Sequence, residues 1–204
     1  MHIAIIGTGN VGGALATQWA RKGHHIHLGV QDTNKFKGQG LMELPNIDVQ
    51  YIREAVGKSE VVLIATPPVA IFDIIDQMGD VSGKVIIDAT NSVMKKPDPY
   101  PTVFHALSDK TSGEIVKCFN TTGYENMLNP IYDEVGIEMF MSGDSVRAKD
   151  TARQLALDCG FSDCLDFGQS DKVVLQEQLA LSWINLAIMQ GHGRGMAFKV
   201  VKRA

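Results

Sequence analysis

Apolar positions along the chain fall into short runs separated by helical patterns. Ile3-Ala4-Ile5-Ile6 has strand length and branched side chains, and residues 11–22 carry Ala14, Leu15, Ala16, Trp19 and Ala20 at helical spacing. Lys22-Gly23 gives that helix a basic last turn and a stop. Residues 26–29 read as a second strand, 46–51 as a weak third, and 53–57 as a helical turn. Residues 60–65 are almost continuously apolar, the mark of a strand buried on both faces of a parallel sheet. A helix over 69–78, strands over 84–87 and 114–119, and a further strand over 136–143 follow. A helix over 145–157, capped by Asp144-Ser145, a strand over 162–167 and a long helix from 171 to about 190 complete the pattern. The interior of that last helix is assigned to Leu175, Leu179, Trp183, Leu186 and Ile188. Strands alternating with helices predict an α/β, Rossmann-type doubly wound, mainly parallel sheet with a long C-terminal helix.

The strand-to-helix junction at the start carries the chemistry. Gly7-Thr8-Gly9-Asn10-Val11-Gly12 places a GxGxxG spacing between the first strand and the first helix. Gly7 permits the tight turn, Gly9 lets backbone approach a pyrophosphate, and Gly12 allows close packing of helix on strand. The unpaired amides of the helix start then face the phosphates. Glycine loops with this spacing are common, so the flanking elements are what make it a dinucleotide signal. The whole chain, 1–204, reads as a single NAD(P)-binding domain, with 170–204 as a C-terminal helical segment closing the acceptor site or a dimer interface.

Which dinucleotide binds depends on the end of the second strand, Gly29-Val30-Gln31-Asp32, where an acid accepts from a free 2′-hydroxyl and repels a 2′-phosphate. Val30 stands where the acid is expected and Asp32 comes two residues late, while Lys35 and Lys37 follow. The balance leans to NADP and leaves NAD open. Ala65-Thr66-Pro67 and Asp88-Ala89-Thr90-Asn91-Ser92 end two buried strands at the ligand side of the sheet. Asn91 is a candidate for the nicotinamide ribose or carboxamide, with a helix-capping role for Asn91 or Ser92 as the alternative.

Composition removes other classes. Of the 204 residues 45% are hydrophobic, enough for a large core, and 19 basic against 23 acidic residues give a formal charge of -4. The basic residues are scattered, which argues against a nucleic-acid partner. No stretch approaches the about 20 apolar residues of a membrane span. Three cysteines without a CxxC spacing fit a reducing compartment, and a cytoplasmic location is the expectation. His105 and His192 lack a carboxylate nearby in sequence, and His24, His25 and His27 have no Cys or acid close by, so neither an acid–base nor a metal role is assigned. Cys118 adjoins the strand end at Asn120 and reads as a core residue unless its thiol is acidified.

Taken together, GTGNVGG, Gly29-Val30-Gln31, Ala65-Thr66-Pro67, Phe119-Asn120, Ser142-Gly143-Asp144 and the run Ile188-Met189-Gln190-Gly191-His192-Gly193-Arg194-Gly195 resemble the NADPH:coenzyme F420 oxidoreductase family. They are similar also to the cytoplasmic reductase domain of the STEAP metalloreductases. The resemblance implies hydride transfer between NADP(H) and a flavin or F420-type ring, without a catalytic side chain. It implies that Lys35 contacts the 2′-phosphate, whereas Val30 and Gln31 replace the family's Ser-Arg pair. It further implies a small-molecule redox acceptor held near Pro67, Asn120, Thr121, Gly191, His192 and Gly193. For those glycines a plain helix stop is the competing reading. A homodimer through the C-terminal helix is expected. Reduction of a small carbonyl or imine, and non-catalytic dinucleotide sensing, remain as alternative functions.

Overall fold

The computed structural model describes residues 1–203. Ten strands, β1 (His2–Ile6), β2 (His25–Val30), β3 (Ile47–Tyr51), β4 (Val61–Ile64), β5 (Val85–Asp88), β6 (Glu114–Cys118), β7 (Ile131–Tyr132), β8 (Val135–Gly136), β9 (Glu138–Ser142) and β10 (Asp163–Gly168), are interspersed with seven α-helices among the described residues. The helices are α1 (Asn10–Arg21), α2 (Ile52–Gly57), α3 (Ile71–Met78), α4 (Val103–Lys110), α5 (Tyr124–Leu128), α6 (Val146–Asp158) and α7 (Val173–Ile184). Eight strands form one sheet in the order β10-β9-β6-β5-β4-β1-β2-β3, and β7 pairs with β8 as a separate hairpin. The strand order reverses between β1 and β4, which places a crevice at their carboxyl ends.

Successive residues of the central strands feed opposite layers. Ile3, Ile5 and Leu63 pack toward α1 and α6, while Ala4, Ile6, Val62 and Ile64 pack toward α2, α3 and α4. Both sets are buried, as a parallel sheet covered on both faces requires. Trp19 of α1 donates its indole N–H to the Leu155 carbonyl of α6 at 2.9 Å and meets the Phe119 ring edge-on at 5.5 Å, fixing the α1 layer.

Several elements depart from the sequence pattern. β9 runs antiparallel to β6, because a short helix and a hairpin rather than a long crossover helix connect them. α4 was not expected; its Val103, Phe104, Ala106 and Leu107 are buried at helical spacing. The last helix continues as a π-helical turn over Asn185–Met189, and residues 190–203 are irregular, so the segment 170–204 is helical only in its first part. The helix ends there because Gly191 and Gly193 adopt φ of 75° and 89°, with the His192 and Gly193 amides bonded back to the Leu186 and Ala187 carbonyls.

The inward face of the last helix is only in part the one assigned: Trp183 is buried and Leu179 and Leu186 are half-buried, but Leu175 and Ile188 are exposed. Its buried residues are Val173, Gln176, Glu177, Ala180 and Trp183, whereas Leu175 is 55% and Ile188 50% exposed. The polar pair Gln176 and Glu177 points into the protein because the strand ends beneath it offer a buried ammonium and amides.

Candidate functional site

The glycine turn has the geometry its spacing predicts. Gly7 sits at φ 103°, and a Cβ there would lie 2.4 Å from the Ala65 carbonyl oxygen. A Cβ on Gly12 would lie 1.9 Å from the Gly7 oxygen, so α1 rests directly on the turn. Around Gly9 nothing lies within 4 Å of such an atom. No side chain caps α1, and Gly9, Asn10 and Thr8 line open space. The amides of Asn10, Val11 and Gly12 are therefore free for an anion, with Val11 contributing backbone while its side chain packs on the core.

Two cavities flank this turn. One of about 340 Å³ is lined by Gly7, Thr8, Val30, Gln31, Lys35, Thr66 and Pro67, with Phe36, Ile52 and Ile74 supplying apolar walls. It gathers most of the residues assigned to the cofactor. Asp32 is on its rim, where one carboxylate oxygen accepts from the Asn34 amide at 2.9 Å. The second, about 290 Å³, lies beside the α1 start between Thr8, Gly9, Asn10, Lys37 and Tyr124. Lys37 reaches it because the 32–43 loop folds back over the turn, with Gly38 so close that a Cβ would lie 2.9 Å from the Thr8 oxygen. The sequence weighs Lys37 with Lys35 at a 2′-phosphate; the loop path separates them and brings Lys37 to the α1 start.

Beyond Thr66 the strand ends are closed by polar side chains bonded to one another. Asn91 donates to the Asn120 carbonyl at 2.9 Å, and the Asn120 amide donates to Asn91 Oδ1 at 3.0 Å. Gln176 of α7 donates to Asn120 Oδ1 at 2.7 Å and to the Phe140 carbonyl at 3.1 Å, and accepts from Ser142 at 2.5 Å. Phe119, at φ 60° and fully buried, turns the chain between β6 and Asn120 in a conformation that side chains other than glycine rarely adopt. Two hydroxyls in this region are buried without a partner among the described residues, those of Thr66 and Thr90. A buried hydroxyl left unbonded costs about 1 to 3 kcal/mol; Thr66 borders the larger cavity, whereas Thr90 lies behind the strand ends and lines neither.

Under this floor lies a cluster the sequence reading missed. Lys117, 0% exposed, donates to Asp88 Oδ2 at 2.9 Å, Glu177 Oε1 at 2.5 Å and the Thr90 carbonyl at 2.6 Å. Burial pushes the Glu177 carboxyl above the usual carboxylate range, against the pull of Lys117. The signal was a lysine inside the buried apolar strand Ile115-Val116-Lys117-Cys118 and a glutamate inside an apolar helix.

The remaining assigned residues lie as follows. Thr121 is buried, and its hydroxyl faces the Met139 sulfur at 3.6 Å rather than either cavity. Gly191, His192 and Gly193 are exposed past the helix end and line neither cavity, so their geometry is that of a helix stop. Ser92 accepts from the Val103 amide at the start of α4, at 3.3 Å, whereas Asn91 pairs with Asn120 and caps no helix. Asp144 accepts from the Ser170 amide, leaving Ser145 alone to cap α6. Burial, and then the Lys117 charge, push the His105 imidazole below its ordinary value, and burial pushes the Cys118 thiol up. His27 does have an acid beside it: Asp48, distant in sequence, bonds its Nδ1 at 2.8 Å, while His2 bonds the other ring nitrogen at 3.0 Å.

Residues 2–92 match the family model described as NADP oxidoreductase, coenzyme F420-dependent. A curated relative, the glycerol-3-phosphate dehydrogenase [NAD(P)+] of Thermoanaerobacter sp. (strain X514), is 24% identical over 86% of this chain. The chain spans 63% of that relative's length. A solved structure from Arthrobacter sp. FB24, named as a candidate F420-dependent NADP-reductase, superposes with a TM-score of 0.86 at 24% identity and covers 99% of this chain and 100% of its own. An Aspergillus terreus reductive aminase in complex with NADPH and ethyl-5-oxohexanoate has a TM-score of 0.69 at 18% identity, over 93% of this chain and 62% of the aminase. At these identities the superpositions show the shared Rossmann-like fold. By their descriptions, the matched family and the curated relative are NAD(P)-dependent oxidoreductases.

Proposed function

We propose that the protein binds NADP(H) across the β1–β4 crevice and passes hydride between it and a flat flavin-like or deazaflavin ring of the F420 type. The observation that carries the reading is the α1 start: a glycine turn packed too tightly for any Cβ at Gly7 or Gly12, yet open at Gly9. That combination suits a diphosphate on backbone amides. The adenosine half fits the larger cavity, between Val30, Gln31 and the Thr66-Pro67 loop, with Lys35 at the 2′-phosphate. Lys37 supports the diphosphate from the other side. Thr66 offers its unpartnered hydroxyl to the nicotinamide riboside. When bound, the dihydronicotinamide supplies the hydride. The chain contributes orientation by a floor whose asparagines are already locked, and exclusion of water above it. The F420-type acceptor rests on the family's description.

The decisive experiment mixes the NADPH-loaded protein with F420 or FMN in a stopped-flow instrument. Rapid loss of NADPH absorbance with either ring is expected; no turnover with both rings would overturn the acceptor assignment. A second reading, reduction of a carbonyl or imine, is favoured by the likeness to the reductive aminase and to the glycerol-3-phosphate dehydrogenase. Turnover with such substrates and none with either ring would select it.

The outer face of α7 supports a homodimer. Leu181, Leu186 and Met189 line an apolar groove beside Met94, and Leu175 lies exposed on the same helix. Sedimentation at micromolar concentration is expected to give twice the chain mass, and Leu181→Glu to halve it.

A further inference from the structure

The cluster beneath the nicotinamide end carries more charge of one sign than the other. Asp88 Oδ1 accepts from the Thr90 amide at 2.9 Å and Oδ2 from Lys117 at 2.9 Å. Glu177 Oε1 accepts from Lys117 at 2.5 Å and Oε2 from the Ser92 amide at 2.8 Å. All four carboxylate oxygens thus face N–H donors, which favour two ionised carboxylates against the burial that raises the Glu177 carboxyl. One ammonium answers them, and its third bond goes to the neutral Thr90 carbonyl. The remaining titratable neighbour, His105, is pushed toward its neutral form by burial and by Lys117. Gln176 beside them is uncharged. A formal charge of -1 is left in a site with no solvent to screen it, directly under the 88–92 segment that bears Thr90 and Asn91.

We propose that this buried Asp88–Lys117–Glu177 cluster sets the redox preference of the cleft by favouring the cationic nicotinamide of NADP+ over the neutral dihydronicotinamide of NADPH. The inference rests on the dinucleotide reading above. Hydride leaving the dihydronicotinamide carries two electrons and one proton to the acceptor ring and leaves a positive charge on the donor ring. A fixed negative charge stabilises that product and makes the bound NADPH a stronger reductant. The aligned amides at the α1 start act on the diphosphate, which is the same in both redox states, so they leave this preference unchanged. Glu177 and Asp88 are positioning residues in the electrostatic sense, since they act on the ring through space and through the 88–92 segment.

Calorimetric titration of NADP+ and of NADPH into wild type, Glu177→Gln and Asp88→Asn tests the proposal. Each substitution removes one negative charge with little change of shape. The expected result is a rise of about tenfold in the ratio of the NADP+ to the NADPH dissociation constant in each variant. Tenfold corresponds to about 30 mV in the two-electron potential of the bound couple. A purely structural role for the cluster weakens both ligands together and leaves the ratio where it was. An unchanged ratio in a folded variant overturns the proposal, and Asp88→Asn decides the matter if Glu177→Gln does not fold. If wild type binds neither nucleotide, the dinucleotide reading itself has failed and the proposal falls with it.

Discussion

At one end of the cleft α1 begins with no side chain over its first amides, and Gly9 faces open space. At the other end Asp88, Asn91, Lys117, Asn120, Gln176 and Glu177 bond to one another or to the strand ends until the hydroxyls of Thr66 and Thr90 are the buried side-chain groups left over. The contrast follows from what each end is proposed to hold. A diphosphate is held by bare donors, so small residues and an uncapped helix serve it. A ring that must meet a second ring at reacting distance is held by a floor that does not move, so the donors there are bonded in advance.

Substitutions in the glycine turn separate packing from binding and carry the largest expected effects. Gly12→Ala drives a Cβ into the Gly7 carbonyl and against Ile5, and should destabilise the protein by about 3 kcal/mol or more in a urea titration. Gly9→Ala meets no protein atom and should leave stability within about 0.5 kcal/mol of wild type, while NADPH affinity falls by about tenfold or more. Equal losses of stability in the two variants would erase the distinction between the packed and the open glycine. At the closed end Lys117→Met leaves two buried carboxylates without their cation and should cost about 3 to 5 kcal/mol in the same titration.

Much of the cleft is legible in the sequence because it is built from local rules. The strand, glycine turn and helix over residues 2–21 are fixed by neighbours in sequence, and the Thr66-Pro67 and Asn91 positions follow from where apolar strands stop. The closed end is not legible in that way. Lys117, Asp88 and Glu177 lie far apart in the chain, and each was read against its local surroundings, where a lysine or glutamate among apolar residues has no visible partner. The same blindness misplaces Leu175 of α7, assigned inward with Trp183 although Gln176 and Glu177 take the buried face beside that tryptophan. The antiparallel β9 escaped because strand direction depends on the connection, and α5 with the β7–β8 hairpin gives no long periodic signal.

Smaller effects sharpen the open end. Lys35→Ala is expected to lower the preference for NADPH over NADH by about tenfold, since Lys35 lines the cavity at Val30 and Gln31. Lys37→Ala, beside Thr8 and Gly9, is expected to weaken both nucleotides alike by about threefold. Fluorescence titrations read both, and a selective loss in the Lys37 variant would exchange the two roles. The smallest expected signal comes from the thiols: all three cysteines are buried, and burial pushes the Cys118 and Cys159 thiols up. Folded protein at neutral pH should therefore leave a disulfide reagent unconsumed over minutes and react only on unfolding.

A structure of the protein crystallised with NADP+ tests the account most directly. The account predicts the diphosphate on the amides of Asn10, Val11 and Gly12, the 2′-phosphate at Lys35, and the Thr66 hydroxyl bonded to the nicotinamide riboside. A nucleotide bound away from the Gly7–Gly12 turn, or bound there with that hydroxyl still unpartnered, would contradict it.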